Sequence, residues 1–433
     1  MKHPSASSRR TVFLSAAIVV ISVLPAFPLA AQQGNTPPSA PAIRRDVIPD
    51  LDDVTVEKVH ISPGIVQHSG PDGQGPVSLD APGSTFSASV PLPAGTTTTN
   101  RNEFVAAPIP FFSPSIGFGL GLGSAYIYNP TGAGTNASPW VTGVGGFYSE
   151  NGSWGAGAAH KMNWGEDRWR LLGVAAYADL RYDFFGVGDR AGEAGQSIPL
   201  RQTVEGGLVE LLREVGHDWY VGGRYSLANV RTSLDSDNAN IPPALAGIPF
   251  ALDANLSALG LRLQRDTRDS SFYPTHGTLF DFNANFFDSA LGSDFTFQTC
   301  SLAYNHYFEL AANHVLALRG YGRATSGEAP FFALSSFGTG SDLRGYTPGR
   351  YRDKLMLALQ AEYRWRITER IGLVAFGGGG GVAPKIGQFD QILPSVGTGC
   401  RYVLAKKNNI SLRFDTAWGL NETTFYVGIG EAF

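Results

Sequence analysis

LMLALQAEYRWRI, Leu355 to Ile367, is the stretch whose reading decides the fold. Leu355, Leu357, Leu359, Ala361, Tyr363, Trp365 and Ile367 share one parity; Met356, Ala358, Gln360, Glu362, Arg364 and Arg366 share the other. Successive side chains on a strand point to opposite faces. The segment therefore has one oily face and one charged face. It is about twice as long as the roughly 5–6 residues of a soluble strand, and long enough for the ~9–11 residues of a tilted membrane strand. Tyr363 and Trp365 near its end suit an interfacial aromatic girdle.

The same alternation recurs outward from this segment. Phe280, Phe282, Ala284 and Phe286 oppose Asp281, Asn283 and Asn285; Leu259, Leu261 and Leu263 oppose Arg262, Gln264 and Asp266. From about residue 103 to the end, such stretches alternate with turns. They predict an all-β transmembrane antiparallel barrel of sixteen strands, with fourteen as the alternative. Closure satisfies every backbone group in lipid, and bacterial barrels have an even strand count. With both ends of the barrel periplasmic, the long connections near residues 184–198, 233–252 and 325–354 all fall on the extracellular side, as expected. Pro108 and Pro110 make the first strand the weakest of the set.

Composition agrees. Charged residues are 16 % of the 433, against roughly 25 % in ordinary soluble domains, while aromatics reach 12 % and there are 53 glycines. A net charge of −4 offers no polybasic surface, so no nucleic-acid partner is expected. Lys2, Arg9 and Arg10, the apolar run Thr11–Leu24 and the small pair Ala30–Ala31 predict a signal peptide over residues 1–31. Residues 32–102, rich in Pro, Gly, Ser and Thr, read as a disordered periplasmic segment preceding the barrel at 103–433. Cys300 and Cys400 are too few for a disulfide scaffold and read as wall residues.

The chain closes on FYVGIGEAF, Phe425 to Phe433. Alternation places Phe425, Val427, Ile429 and Phe433 on one face, and Tyr426, Gly428, Gly430 and Ala432 on the other. The stretch reads as the closing strand, paired to the first, with Glu431 at the membrane edge and the last aromatic sealing the seam.

Three stretches together resemble the BamA/TamA-type outer-membrane assembly factors, the bacterial surface antigens. RDTRDSSFYPTHG, with Arg265, Asp266, Arg268, Asp269, Pro274 and Gly277, resembles that family's mid-barrel turn. LRGY, Leu343, Arg344, Gly345 and Tyr346, resembles its inward-folded loop signature, and Ile429, Gly430 and Phe433 its closing signal. The order agrees, and the resemblance covers about residues 104–433. It departs in two places: no series of periplasmic POTRA domains fits before residue 104, and Gly378 stands where the family usually has a carboxylate.

The resemblance implies residence in the bacterial outer membrane and a role in inserting or translocating proteins or lipids there. It implies the bilayer, lipopolysaccharide and client outer-membrane proteins as partners, a monomer, and no enzymatic activity or cofactor. It also implies that Arg344 docks on the inner wall. An unpaired charge would be costly there, and the inward carboxylates are Glu362, Asp415, Asp281 and Asp266, with Glu362 or Asp415 the expected partner. The glycine run at Phe376–Ala383 would either let the loop lie close to the wall or form a kink with no further role.

Two other functions compete. A passive pore would use inward Arg262, Arg319, Arg323, Arg364 and Arg366 to favour anions. A hydrolase would need a Ser–His pair, for which His160, His306 and Ser301 are the candidates. No metal-ligand spacing is evident.

Overall fold

The computed structural model describes residues 103–128, 140–237, 250–270, 272–338, 341–405 and 409–433. The segments expected at 1–31 and 32–102 lie outside these residues.

Sixteen long strands form one antiparallel sheet in sequence order. They are β1 (Glu103–Ser113), β2 (Gly117–Tyr128), β3 (Trp140–Ser149), β4 (Trp154–Trp164), β5 (Trp169–Phe184), β6 (Ile198–Gly216), β7 (Trp219–Leu234) and β8 (Ala251–Asp266). The second half comprises β9 (Gly277–Phe287), β10 (Phe297–Ala311), β11 (His314–Gly327), β12 (Leu355–Arg366), β13 (Ile371–Ala383), β14 (Leu393–Ala405), β15 (Ile410–Trp418) and β16 (Thr423–Ile429). A short helix, α1 (Asp189–Ala194), sits between β5 and β6. The fold is a nearly closed sixteen-stranded barrel. The count expected from alternation stands because each predicted segment already carried a complete two-faced pattern.

The alternation is physical. In β12, Leu357, Leu359, Tyr363 and Trp365 are exposed on the outside, while Gln360, Glu362 and Arg364 are buried inside. Leu259 and Leu261 of β8 are likewise exposed, with Arg262 buried between them. Charges inside and hydrocarbon outside is the reverse of a soluble protein and suits a bilayer. Cys300 and Cys400 are free thiols on β10 and β14.

One end of the barrel carries the connections 185–197, 235–250 and 328–354; the other has two-residue turns at 217–218 and 312–313. Long loops mark the extracellular side. Tight turns at the periplasmic end use positive φ at His217, Asp218 and Asn313.

The closing region corrects the sequence-based expectation. β16 ends at Ile429, Gly430 takes φ +86°, and Glu431, Ala432 and Phe433 turn into the lumen and are buried. Phe433 does not seal the outer face; it packs inside on Tyr307 and Ala317. The reason is electrostatic. Continued as a strand, Glu431 would present a carboxylate to lipid. Turned inward, it meets Arg401 Nε at 2.6 Å and Arg364 Nε at 3.8 Å.

The β1–β16 seam is loose, as the prolines of the first strand suggest. Every sequential pair from β1 to β16 is joined by an antiparallel ladder, three of them with one register shift, whereas β1 and β16 lie side by side with no ladder among the described residues. Pro108 and Pro110, two residues apart, remove two donors from one edge of β1. Because β1 keeps an unbroken register with β2, the depleted edge is the one facing β16.

Candidate functional site

The loop between β11 and β12 folds into the barrel. It begins with the turn Phe331–Ala333, and its two arms are joined by a small ladder pairing Ser335 with Asp353 and Ser336 with Arg352. Phe337, Leu343, Tyr346 and Tyr351 form a buried cluster with Met356, Ala358, Val382 and Leu393 of the wall. Burying these aromatics contributes to holding the loop inside.

At its tip, Arg344 is fully buried. Its Nη2 reaches Glu362 Oε2 at 2.5 Å, its Nη1 reaches Asp415 Oδ2 at 2.5 Å, and its Nε donates to Gln360 Oε1 at 3.2 Å. The guanidinium lies over the Phe376 ring, 3.4 Å from its centroid. Two carboxylates and an aromatic face use the planar fork fully.

Each carboxylate also binds a second cation: Arg364 Nε is 2.7 Å from Glu362, and Arg401 Nη1 is 2.6 Å from Asp415. The buried charges are thus interleaved, which is the condition for tolerating them.

The backbone around Arg344 is fastened as well. Gly345, at φ +111°, lies against Gly419, and its N–H donates to Tyr426 Oη of β16 at 2.9 Å. Ser395 Oγ donates to the Arg344 carbonyl. Tyr346 Oη donates to the Pro394 carbonyl at 2.5 Å and accepts from Leu420 N at 3.1 Å. Burial pushes this phenol up to about 12, so it keeps its proton and stays a donor. Glu422 accepts from Thr347 N and Oγ1 and pairs with Arg350 at 2.8 Å. The loop therefore ties β12, β14, β15 and β16 together from inside.

Gly378 has its own explanation. A Cβ there would lie 2.8 Å from Leu343 Cδ1 and would also strike the Leu359 carbonyl. The position is empty of side chain so that the loop can seat, and the carboxylates come instead from β12 and β15.

The mid-barrel turn joins the same network. Tyr273 and Pro274 are buried; Tyr273 lies under Arg366, 4.0 Å from ring centroid to guanidinium, and the Pro274 carbonyl is 3.5 Å from Arg364 Nη1. Arg364 Nη2 donates to the main-chain oxygen of Phe433 at 2.8 Å. Loop, turn and closing residues, separate in sequence, thus meet around Glu362 and Arg364.

Within the turn, Asp269 accepts from Thr275 and His276 N, Arg265 donates to the His217 carbonyl, and Gly277 takes φ +97°. Asp266 pairs with Arg268 at 2.8 Å, and Asp281 with Arg262 at 2.6 Å. Neither of these two carboxylates meets Arg344. Alternation gives the face of a residue but not its height or its angle around the barrel.

The arginines that a cationic pore would use are in part neutralised. Arg262 is neutralised by Glu210 as well as Asp281, and Arg364 by Glu362; Arg319 Nη1 donates to Asn305 Oδ1 at 2.8 Å. The hydrolase constellation does not form. Ser301 is buried on the inner face of β10, whereas His306 points outward, stacked on Phe308 at 4.1 Å. His160 hydrogen-bonds Thr142 Oγ1 at 2.8 Å. Among the described residues no group of His, Cys, Asp and Glu is arranged to hold a metal.

Sequence reasoning missed Arg401, Gln360, Tyr426 and Glu422. Arg401 and Gln360 were detectable as inward-parity polar residues; Tyr426 and Glu422 required the loop's position.

The Omp85 superfamily domain matches residues 132–433. The chain belongs to the Omp85 superfamily. As such it is a bacterial outer-membrane barrel. It is 29 % identical over 185 residues to the outer membrane protein assembly factor BamA of Nitratidesulfovibrio vulgaris, a match covering 39 % of this chain and 23 % of that protein. The matched region thus spans under a quarter of that relative's length. The Omp85 barrel here shares its fold with the crystal structure of BamA from Haemophilus ducreyi lacking POTRA domains 1–3. The TM-score is 0.55 at 14 % identity, over 77 % of this chain and 70 % of that one. CdiB from Escherichia coli gives 0.53 at 10 % identity, over 75 % and 62 %.

Proposed function

We propose that this Omp85 barrel assists the insertion or translocation of client proteins at the outer membrane through the seam between β1 and β16. The observation that carries the proposal is the missing ladder at that seam, beside a β16 fastened from inside by the Arg344 loop. An edge with unpaired backbone groups is a template for an incoming strand. Here the edge faces lipid, where an unsatisfied group costs most, so a client strand gains by pairing with it. No covalent chemistry is needed. The loop folded into the barrel disfavours passive conduction as the role.

The same reading includes the leader over residues 1–31, an N-terminal periplasmic segment at 32–102, and a monomeric barrel in contact with lipopolysaccharide. The role is tested by depleting the protein and quantifying the other barrels of the outer membrane by mass spectrometry. Loss of a defined subset of barrels is expected; an unchanged outer-membrane proteome with steady ion conductance through the purified protein would instead indicate a channel. N-terminal sequencing of the mature protein tests the leader.

A further inference from the structure

The glycine run of β13 serves two faces; on the outer one a Cβ at Gly381 would lie 2.7 Å from the Gln391 carbonyl, but Gly377 and Gly379 are not explained by the protein's own packing. On the inside, a Cβ at Gly378 would meet Leu343, and one at Gly380 would lie 2.7 Å from Phe337 Cε2, so the folded-in loop requires both glycines. On the outside the result differs. A Cβ at Gly377 would lie 3.5 Å from the Ser395 carbonyl, and one at Gly379 3.6 Å from the Leu393 carbonyl, which is ordinary contact. Neither has the positive φ that favours glycine. Side chains fit at both positions, and glycine in a strand interior is destabilising.

The absent side chains leave a groove of about 910 Å³ on the outer wall. Its floor is the outer face of β13 and Gly320 of β11. Its walls are Leu357 and Leu359 on one side, Tyr304 and Phe308 further round, and Phe389 and Ile392 from the hairpin 384–392. These wall residues project on the lipid side and are exposed. The backbone beneath is satisfied, since Gly377 to Gly380 are in register with β12 and β14. The floor therefore makes no demand for a polar ligand. The hairpin belongs to the extracellular end, so the groove opens into the outer leaflet.

We propose that this groove binds an acyl chain of an outer-leaflet membrane lipid. The bilayer is what covers this wall in an outer-membrane barrel, and an apolar depression cannot stay empty against it without losing dispersion contacts. Its volume is at the upper end of small-ligand sites, roughly 300–1,000 Å³. A flexible hydrocarbon chain lying along the strand, bordered by two leucines and two aromatics, fits both shape and chemistry. The proposal is independent of the client-insertion reading: the groove lies on β10–β13 and the hairpin 384–392, away from the seam.

The test is photo-cross-linking of the full mature protein reconstituted in phosphatidylethanolamine vesicles doped with a lipid carrying a diazirine in its acyl tail. Cross-links on the peptides covering Leu357–Ala361 and Gly377–Ile392 should exceed those on the outward leucines of β8, Leu259 to Leu263, by about tenfold. Gly379→Leu fills the floor and should reduce the excess to the β8 level while the barrel keeps its heat-modifiable migration. Leu357→Ala with Leu359→Ala removes one wall and should do the same if the first variant folds poorly. Equal labelling of the groove and β8 in the unmodified protein would overturn the proposal, leaving only annular lipid.

Discussion

The two sides of the seam are built differently. β16 is a short strand held from within: Tyr426 accepts from the loop backbone, and the residues after it turn inward onto Arg364 and Arg401. Among the described residues β1 has no comparable tie. Its inward neighbours on β2 and β3 include Gly121, Gly123, Gly143 and Gly145, too small to reach across the lumen. The difference teaches that the closing side of the barrel is fastened from within, while the opening side rests on its ladder with β2. That is the asymmetry expected where one edge must stay fixed while its partner yields.

The largest way to break this asymmetry is Arg344→Ala. It leaves Glu362 and Asp415 buried with one cation fewer, at a cost of about 3–5 kcal/mol. Limited trypsin digestion should then cut at Arg350 and Arg352, sites protected in the unmodified barrel, and the thermal midpoint by circular dichroism should fall. Arg344→Lys should rescue little, because an ammonium cannot bridge both carboxylates in the plane.

Glu431→Ala comes next, at about 2–3 kcal/mol for its charged hydrogen bonds. Arg401 and Arg364 retain Asp415 and Glu362, so the loop should stay protected while amides of β16 exchange faster. A loop that became cleavable would show that the two anchors are one unit.

Gly378→Ala should cost about 1–2 kcal/mol by crowding Leu343 and the β12 backbone. Gly377→Ala, on the other face, should be nearly silent; equal losses would contradict the division of the glycine run between loop and groove.

Replacing Pro108 and Pro110 together by Ala returns two donors to the β1 edge. The expected gain is about 1 kcal/mol per new bond, read as slower amide exchange along β1 and β16. Unchanged exchange would mean that something other than missing donors keeps the seam unladdered. Arg231→Ala, on an exposed pair with Asp253, should leave the thermal midpoint where it was.

Much of this was legible in the sequence because a membrane wall imposes a strict rule on every residue. Leu355–Ile367 declared both faces, and the inward parity of Glu362 and Asp415 put them within reach of Arg344. What parity lacks is depth and azimuth. Asp266 and Asp281 satisfied the same rule, yet each lies beside its own arginine. The inward turn after Ile429 had a local signal that alternation alone overrode: a carboxylate at a lipid-facing position, immediately after a glycine. The Tyr273–Pro274 tuck had none, since its reason is Arg364 and Arg366, far away in the chain.

The run from Gly377 to Gly381 bears on the order in which the barrel comes together. Bare of side chains, that length of β13 has the most chain freedom to lose and almost nothing of its own to gain by becoming a strand. Leu343 and Phe337 bring the missing contacts only when the loop is seated. Wall and loop should therefore set in one step, late in assembly, and a barrel whose loop was left outside would carry a soft panel on its flank.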